Sequence, residues 1–198
     1  MKKVAFVVSH LGSNSDYLVK ILNNNPRCTI LSSNHQYNNV ESLEFLYKFH
    51  KYRSSSGSVY GDHLLYNQSF SCKLFYNICK FIYVIRSPRQ SLNEICFNHR
   101  NYSKQSAISY YRFRLRRIYE MAKQTKNSVL ITYDELMDGK SFEVIQNYLG
   151  LIEPLKHDKI DGEDDRKPNQ FEESLLLKTE DCFEKYYYHL NNLEIIRP

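Results

Sequence analysis

Two short runs of almost unbroken apolar residues, 4–8 (VAFVV) and 81–85 (FIYVI), constrain this chain more than any other feature. A strand with no polar alternation shows water neither face, and such strands belong to parallel sheets covered by helices on both sides. Each run is followed by a turn and then by helical apolar spacing. Leu18, Ile21 and Leu22 mark a helix from about Ser15 that ends in the Asn-rich stretch before Pro26, and Leu92 and Ile95 mark another after Pro88, a residue suited to a first helical turn. Residues 29–31 and 129–132 read as further strands, and 40–49, 106–123, 141–149 and 171–190 as helices. The Ser/Gly-rich stretch 53–62 reads as a loop. This alternation predicts an α/β fold, a mostly parallel sheet flanked by helices, with 4–8, 81–85 and 129–132 as parallel neighbours.

At 198 residues, with no Pro/Gly-rich divide and no internal repeat, the chain is expected to form one domain, 1–198. Lys+Arg 27 against Asp+Glu 22 gives +5, an excess that suits an anionic ligand and falls short of a nucleic-acid surface. Arg112, Arg114, Arg116 and Arg117 read as a solvated helix face rather than a binding patch. Five cysteines without C-x-x-C spacing argue for reduced thiols. With neither a leader nor an apolar run of membrane-spanning length, the expected location is cytoplasmic. No G-x-x-x-x-G-K-[ST] supports a P-loop kinase, and no RNP-like or Gly-x-x-Gly signature supports an RNA-binding module.

The turn after the first run, SHLGSNSDYL, has the layout of a phosphate-binding loop, in which main-chain N–H groups at a helix N-terminus face an anion. It contains no Lys or Arg. Two readings stay open: an anion cradle, or a turn in which Ser13, Asn14 or Ser15 simply caps the helix.

Three segments resemble the sulfotransferase family, whose members transfer a sulfuryl group from 3′-phosphoadenosine 5′-phosphosulfate (PAPS) to an acceptor. Ser9 to Leu18, with Pro26, is similar to G-x-P-R-S-G-T-T-x-L. Ser13 falls on the family Ser, Ser15 and Asp16 on the two hydroxyl positions, and Gly12 on the basic residue. KFIYVIRSPRQSLNEICF resembles a strand followed by R-[DN]-P-[RK]-D-x-x-x-S, matched by Arg86, Pro88 and Arg89, with Glu94 in place of the Ser. VLITYDELMDGKSFEVIQNYLGL looks like V-x-x-Y-E-[DE]-L and the helix that follows it. The resemblance covers roughly residues 3–151.

What it implies is a P-loop-type parallel sheet with PAPS as co-substrate and no metal. Gly12, Ser13, Asn14 and Ser15 would cradle one phosphate, Arg86 with Arg89 would hold the 3′-phosphate, and Tyr133 would contact the adenine. Arg166 and Lys167 match an R-K-G segment that reaches back to that phosphate, with Pro168 in place of the Gly. His63 falls where the family carries K-T-H-L-P, whose His is the general base. The acceptor would be a hydroxyl or amine of a carbohydrate or small metabolite, chosen by the loops 34–62 and 97–106, with neither nucleic acid nor membrane as partner. Gly12, Asp16 and Glu94 also admit a non-catalytic binding protein with a degenerate donor site. Each residue has a second reading: Arg86 as a salt-bridge partner of Glu94, Arg89 as solvated, His63 as structural, Asp62 as a helix cap. The tyrosines at 110–111 and 186–188 read as helix packing. His10 or Lys20 is the expected counter-charge to Asp16.

Overall fold

Five strands build one sheet in the order β2-β3-β1-β4-β5, every neighbouring pair parallel: β1 (Lys3–Ser9), β2 (Cys28–Leu31), β3 (Val59–Leu64), β4 (Lys80–Ile85) and β5 (Ser128–Thr132). The computed structural model describes residues 3–48, 58–66, 68, 70, 73–99, 101–156 and 171–198. The three apolar runs are parallel neighbours, as their composition predicts.

The period-2 alternation of strand side chains divides the interior into two cores. Val4, Phe6 and Val8 meet Phe81, Tyr83 and Ile85 on one face, while Ala5 and Val7 meet Ile82 and Val84 on the other. Helices α4 (Pro88–Asn98), α5 (Lys104–Ala122) and α8 (Glu173–Asn191) bring residues such as Leu92, Leu115 and Leu190 to the first core. The second is closed by α1 (Ser15–Asn24) and α7 (Ser141–Leu149), through Leu18, Leu22, Ile145 and Leu149. Burial on both faces is why residues 4–8, 81–85 and 129–131 are apolar throughout. A 3₁₀ turn (Val40–Ser42) leads into α2 (Leu43–Lys48), and α3 (Phe75–Ile78) and α6 (Tyr133–Met137) are short. The edge of β5 is covered by the chain's last residues, where Ile196 N–H donates to Ser128 O (3.0 Å) and Leu130 N–H to Ile196 O (3.1 Å).

The stretch expected as a loop, 53–62, is corrected in its second half. Val59–Leu64 is a strand between β2 and β1, buried at every position, with Phe6 opposite Asp62 and Val7 opposite His63. Its polar residues hide it from a hydrophobicity pattern, yet they are matched inside. Asp62 is therefore not a helix cap: its carboxylate accepts from Ser33 N–H (2.8 Å), the Ser33 hydroxyl, Tyr37 O–H (2.8 Å) and His63 N–H (2.9 Å).

Chain progression runs to one side of β1 through β2 and β3, then crosses to the other through β4 and β5. The switch point lies at the carboxyl ends of β1 and β4, where open α/β sheets place ligands. Among the described residues, no helix is long and apolar enough to cross a membrane, and Cys28, Cys79, Cys96 and Cys182 carry free thiols.

Candidate functional site

The loop from β1 to α1 turns through two left-handed residues, Gly12 (φ 76°) and Asn14 (φ 60°). Gly12 is required twice over. Its φ disfavours any side chain, and a Cβ would stand 2.5 Å from the Ser91 carbonyl oxygen of α4. The position where the family carries a basic residue therefore has no room for one. Asn14 occupies the N-cap of α1 and gives no side-chain cap; its amide donates to Met137 Sδ (3.4 Å), while Ser13 donates to the Ser15 hydroxyl (3.0 Å). The capping reading of these residues is not what the loop adopts. Ser13 N–H donates to His10 O (3.2 Å) and Tyr17 N–H to Asn14 O (3.1 Å), which leaves the N–H groups of Asn14, Ser15 and Asp16 as the loop's main-chain donors to an anion.

His10, fully buried, is a brace. Arg86 N–H donates to its Nε2 (3.1 Å), which places the proton on Nδ1, 2.8 Å from Leu11 O. Burial lowers its pKa to about 4, so it is neutral and cannot offset Asp16. The bond between His10 and Arg86 ties the ends of β1 and β4 together.

Arg86 follows β4 directly. Its guanidinium donates through Nη1 to Gly12 O (3.0 Å) and through Nε to Gln90 Oε1 (3.2 Å), and it stacks 3.7 Å above the Tyr133 ring. None of these partners is Glu94, which accepts from Asn98 Nδ2. Residues from the first, second and third motifs thus meet at one guanidinium. Tyr133 is set there by a capping box, in which Thr132 Oγ1 accepts from Glu135 N–H (3.3 Å) and the Glu135 carboxylate from Thr132 N–H (2.7 Å). Arg89 is engaged elsewhere, its guanidinium held by Glu180 (2.5 Å) and Glu173 (2.7 Å) of α8. Arg166 and Lys167 lie outside the described residues.

His63, 2% exposed, closes β3 beside the loop. Its Nε2 is 2.9 Å from Ser9 Oγ and 2.8 Å from Ser15 Oγ, and the two hydroxyls are 2.6 Å apart. Its Nδ1 lies 3.4 Å from Asp16 Oδ1, an ion-pair distance outside hydrogen-bond geometry. Contact with this imidazole holds the Asp16 carboxyl below the usual carboxylate range, although its side chain is 78% exposed.

Helix α5 supplies residues that the sequence reading missed. Tyr110 O–H donates to Leu65 O (2.6 Å) and accepts from Leu11 N–H (2.9 Å), and Tyr111 O–H donates to Arg86 O (2.7 Å). These two tyrosines clamp the strand ends in addition to packing. Arg114 is not on a solvated face. It is 1% exposed and donates to the last carbonyls of β1 and β3, Ser9 O (2.8 Å) and Leu64 O. Burial lowers its pKa to about 10, leaving a cation beneath the loop. The only sequence signal was the helical spacing that puts Ile108, Tyr111, Arg114 (or Leu115) and Ile118 on one face.

Above the loop is a cavity of about 350 Å³ whose lining includes His10, Gly12, Ser15, Asp16, Glu94 and His99. Among the described residues, two carboxylates and no lysine or arginine line it. Arg86 and, more remotely, Arg114 can supply counter-charge to an anion on the loop.

No protein-family model and no curated protein matches the sequence. Among solved structures, mouse sulfotransferase SULT7A1 complexed with PAP superposes with a TM-score of 0.51 at 20% identity, over 75% of this chain. A sulfotransferase from Alicyclobacillus acidocaldarius gives 0.53 at 11% identity, over 96% of this chain and 95% of that one. The chain has the sulfotransferase fold. It spans 58% of the mouse enzyme's length. Within that fold, the loop after β1, Arg86 and Tyr133 adjoin.

Proposed function

We propose that the protein binds PAPS at the switch point and transfers its sulfuryl group to a hydroxyl or amine of a small metabolite or carbohydrate. The observation that carries this reading is Arg86, which brings together the Gly12 carbonyl, the Tyr133 ring and the end of β4. A planar cation stacked on an aromatic ring, next to a helix N-terminus without a side-chain cap, matches a ligand that joins phosphates to a purine. In this reading the N–H groups of Asn14 and Ser15, at the turn made by Gly12 and Ser13, face the phosphosulfate. Arg86 takes the 3′-phosphate and Tyr133 the adenine. Arg89 remains a second cation for that phosphate only by leaving Glu173 and Glu180.

Sulfuryl transfer demands little covalent chemistry of the protein. The S–O bond to the donor phosphate breaks while a bond to the acceptor oxygen forms, and fixed donors stabilise charge on the sulfonate and leaving phosphate. His63 is the base. The Asp16 and Glu94 carboxylates favour a second reading, a binding protein of the same fold whose donor site has decayed.

Calorimetric titration with 3′-phosphoadenosine 5′-phosphate (PAP), beside adenosine 5′-phosphate, separates the two. Sulfuryl transfer requires PAP to bind at least about tenfold more tightly, about 1.4 kcal/mol. Equal or absent binding of both supports the decayed site.

A further inference from the structure

His63 faces no open space, so a base at this position needs an intermediary. Its Nε2 is within 2.9 Å of two hydroxyls, and one of them, Ser15, also lines the cavity above the loop. Its Nδ1 is buried and makes no hydrogen bond among the described residues, and the Asp16 carboxylate lies 3.4 Å from it. Ser13 donates its own hydroxyl proton to Ser15, which leaves the Ser15 proton free to point onward. The other carboxylate near His63, Asp62, accepts from the backbone N–H and not from the ring.

We infer that Ser15, His63 and Asp16 form a proton relay in which Ser15 touches the acceptor, His63 is the buried base, and Asp16 is the positioning residue that keeps the imidazole proton on Nδ1. The inference rests on the sulfuryl-transfer reading above. As the donor S–O bond breaks and the acceptor S–O bond forms, the acceptor proton passes to Ser15 Oγ and the Ser15 proton to His63 Nε2. PAP leaves with the electron pair on its phosphate oxygen. The imidazolium so formed is stabilised by Asp16, whose exposed carboxylate gives the proton an exit to solvent. The acidic residue at a family hydroxyl position, which counts against phosphate binding, thereby acquires a use in the proton step.

The test has an arm independent of turnover. With ¹⁵N-labelled histidine, long-range proton–nitrogen NMR on the wild type should find His63 protonated on Nδ1, and Asp16→Asn should shift population to the Nε2–H tautomer, since an amide can donate to Nδ1. In the second arm, protein in excess over ³⁵S-labelled PAPS is followed for sulfate release, with water standing in for the acceptor. Ser15→Ala and Asp16→Asn should each lose at least about tenfold of the wild-type rate above buffer, while neither weakens PAP binding by more than about threefold. A wild-type imidazole protonated on Nε2 would overturn the relay. So would a PAP-binding wild type that releases no sulfate above buffer, or variants as fast as wild type. Failure of the wild type to bind PAP would instead overturn the donor assignment and leave the tautomer result standing. Should Ser15→Ala not fold, the wild-type tautomer and Asp16→Asn still decide.

Discussion

Replacing Gly12 by Ala tests how rigidly the loop is seated on α4. The substitution carries two costs. At φ 76° a Cβ-bearing residue loses about 1–2 kcal/mol. The new Cβ would also lie 2.5 Å from the Ser91 carbonyl oxygen, a backbone atom that moves only if α4 or the loop shifts, an overpacking penalty of about 1–3 kcal/mol. The sum is about 2–5 kcal/mol. Gly150→Ala is the control: φ is 67°, but the added Cβ meets Lys3 Nζ, the end of a flexible side chain. It should cost little more than the backbone contribution, about 1–2 kcal/mol. Urea unfolding with unchanged m-values reads both. Gly12→Lys, which restores the basic residue of the family motif, should be destabilised at least as much as Gly12→Ala and gain no PAP affinity. If Gly12→Ala costs no more than Gly150→Ala, or Gly12→Lys folds normally and binds PAP more tightly, the loop is not fixed against α4.

His10 makes acid stability specific. Its folded pKa of about 4 lies below the ordinary 6.5, so between pH 6.5 and 4 the unfolded chain takes up a proton that the folded chain refuses. The contribution is present above pH 6.5 and lost as pH falls to 4, by roughly 3 kcal/mol, and denaturant unfolding of wild type against the non-titrating His10→Gln should show that difference. Arg114→Met should leave Ser9 O and Leu64 O without their donor and destabilise by about 2–4 kcal/mol in the same assay; a neutral substitution would contradict the role given to this cation.

The sheet was legible in sequence because β1, β4 and β5 are buried on both faces and keep their polar residues to their ends. β3 was not: Asp62 and His63 interrupt its pattern, and their partners Ser33, Tyr37, Ser9 and Ser15 come from other elements. The motif residues Arg86 and Tyr133 could be placed individually, but no spacing rule says that a ring 47 positions away will lie under that guanidinium. The meaning of Gly12 was hidden for a similar reason, because the Ser91 backbone that excludes a side chain there belongs to a distant helix. Arg114 looked like one of four exposed arginines, and only its register on α5 separates it from Arg112 and Arg116.

Donor recognition through Arg86 is tested by the affinity of Arg86→Ala for PAP and for adenosine 5′-phosphate, measured by calorimetry on folded protein. The 3′-phosphate is present only in PAP. Loss of its charge-assisted bonds should weaken PAP by at least about tenfold and leave adenosine 5′-phosphate within about threefold of wild type, with Arg89→Ala, whose guanidinium is already held by α8, changing PAP less than Arg86→Ala does. Equal weakening of both ligands, or an unchanged PAP affinity, would contradict the account.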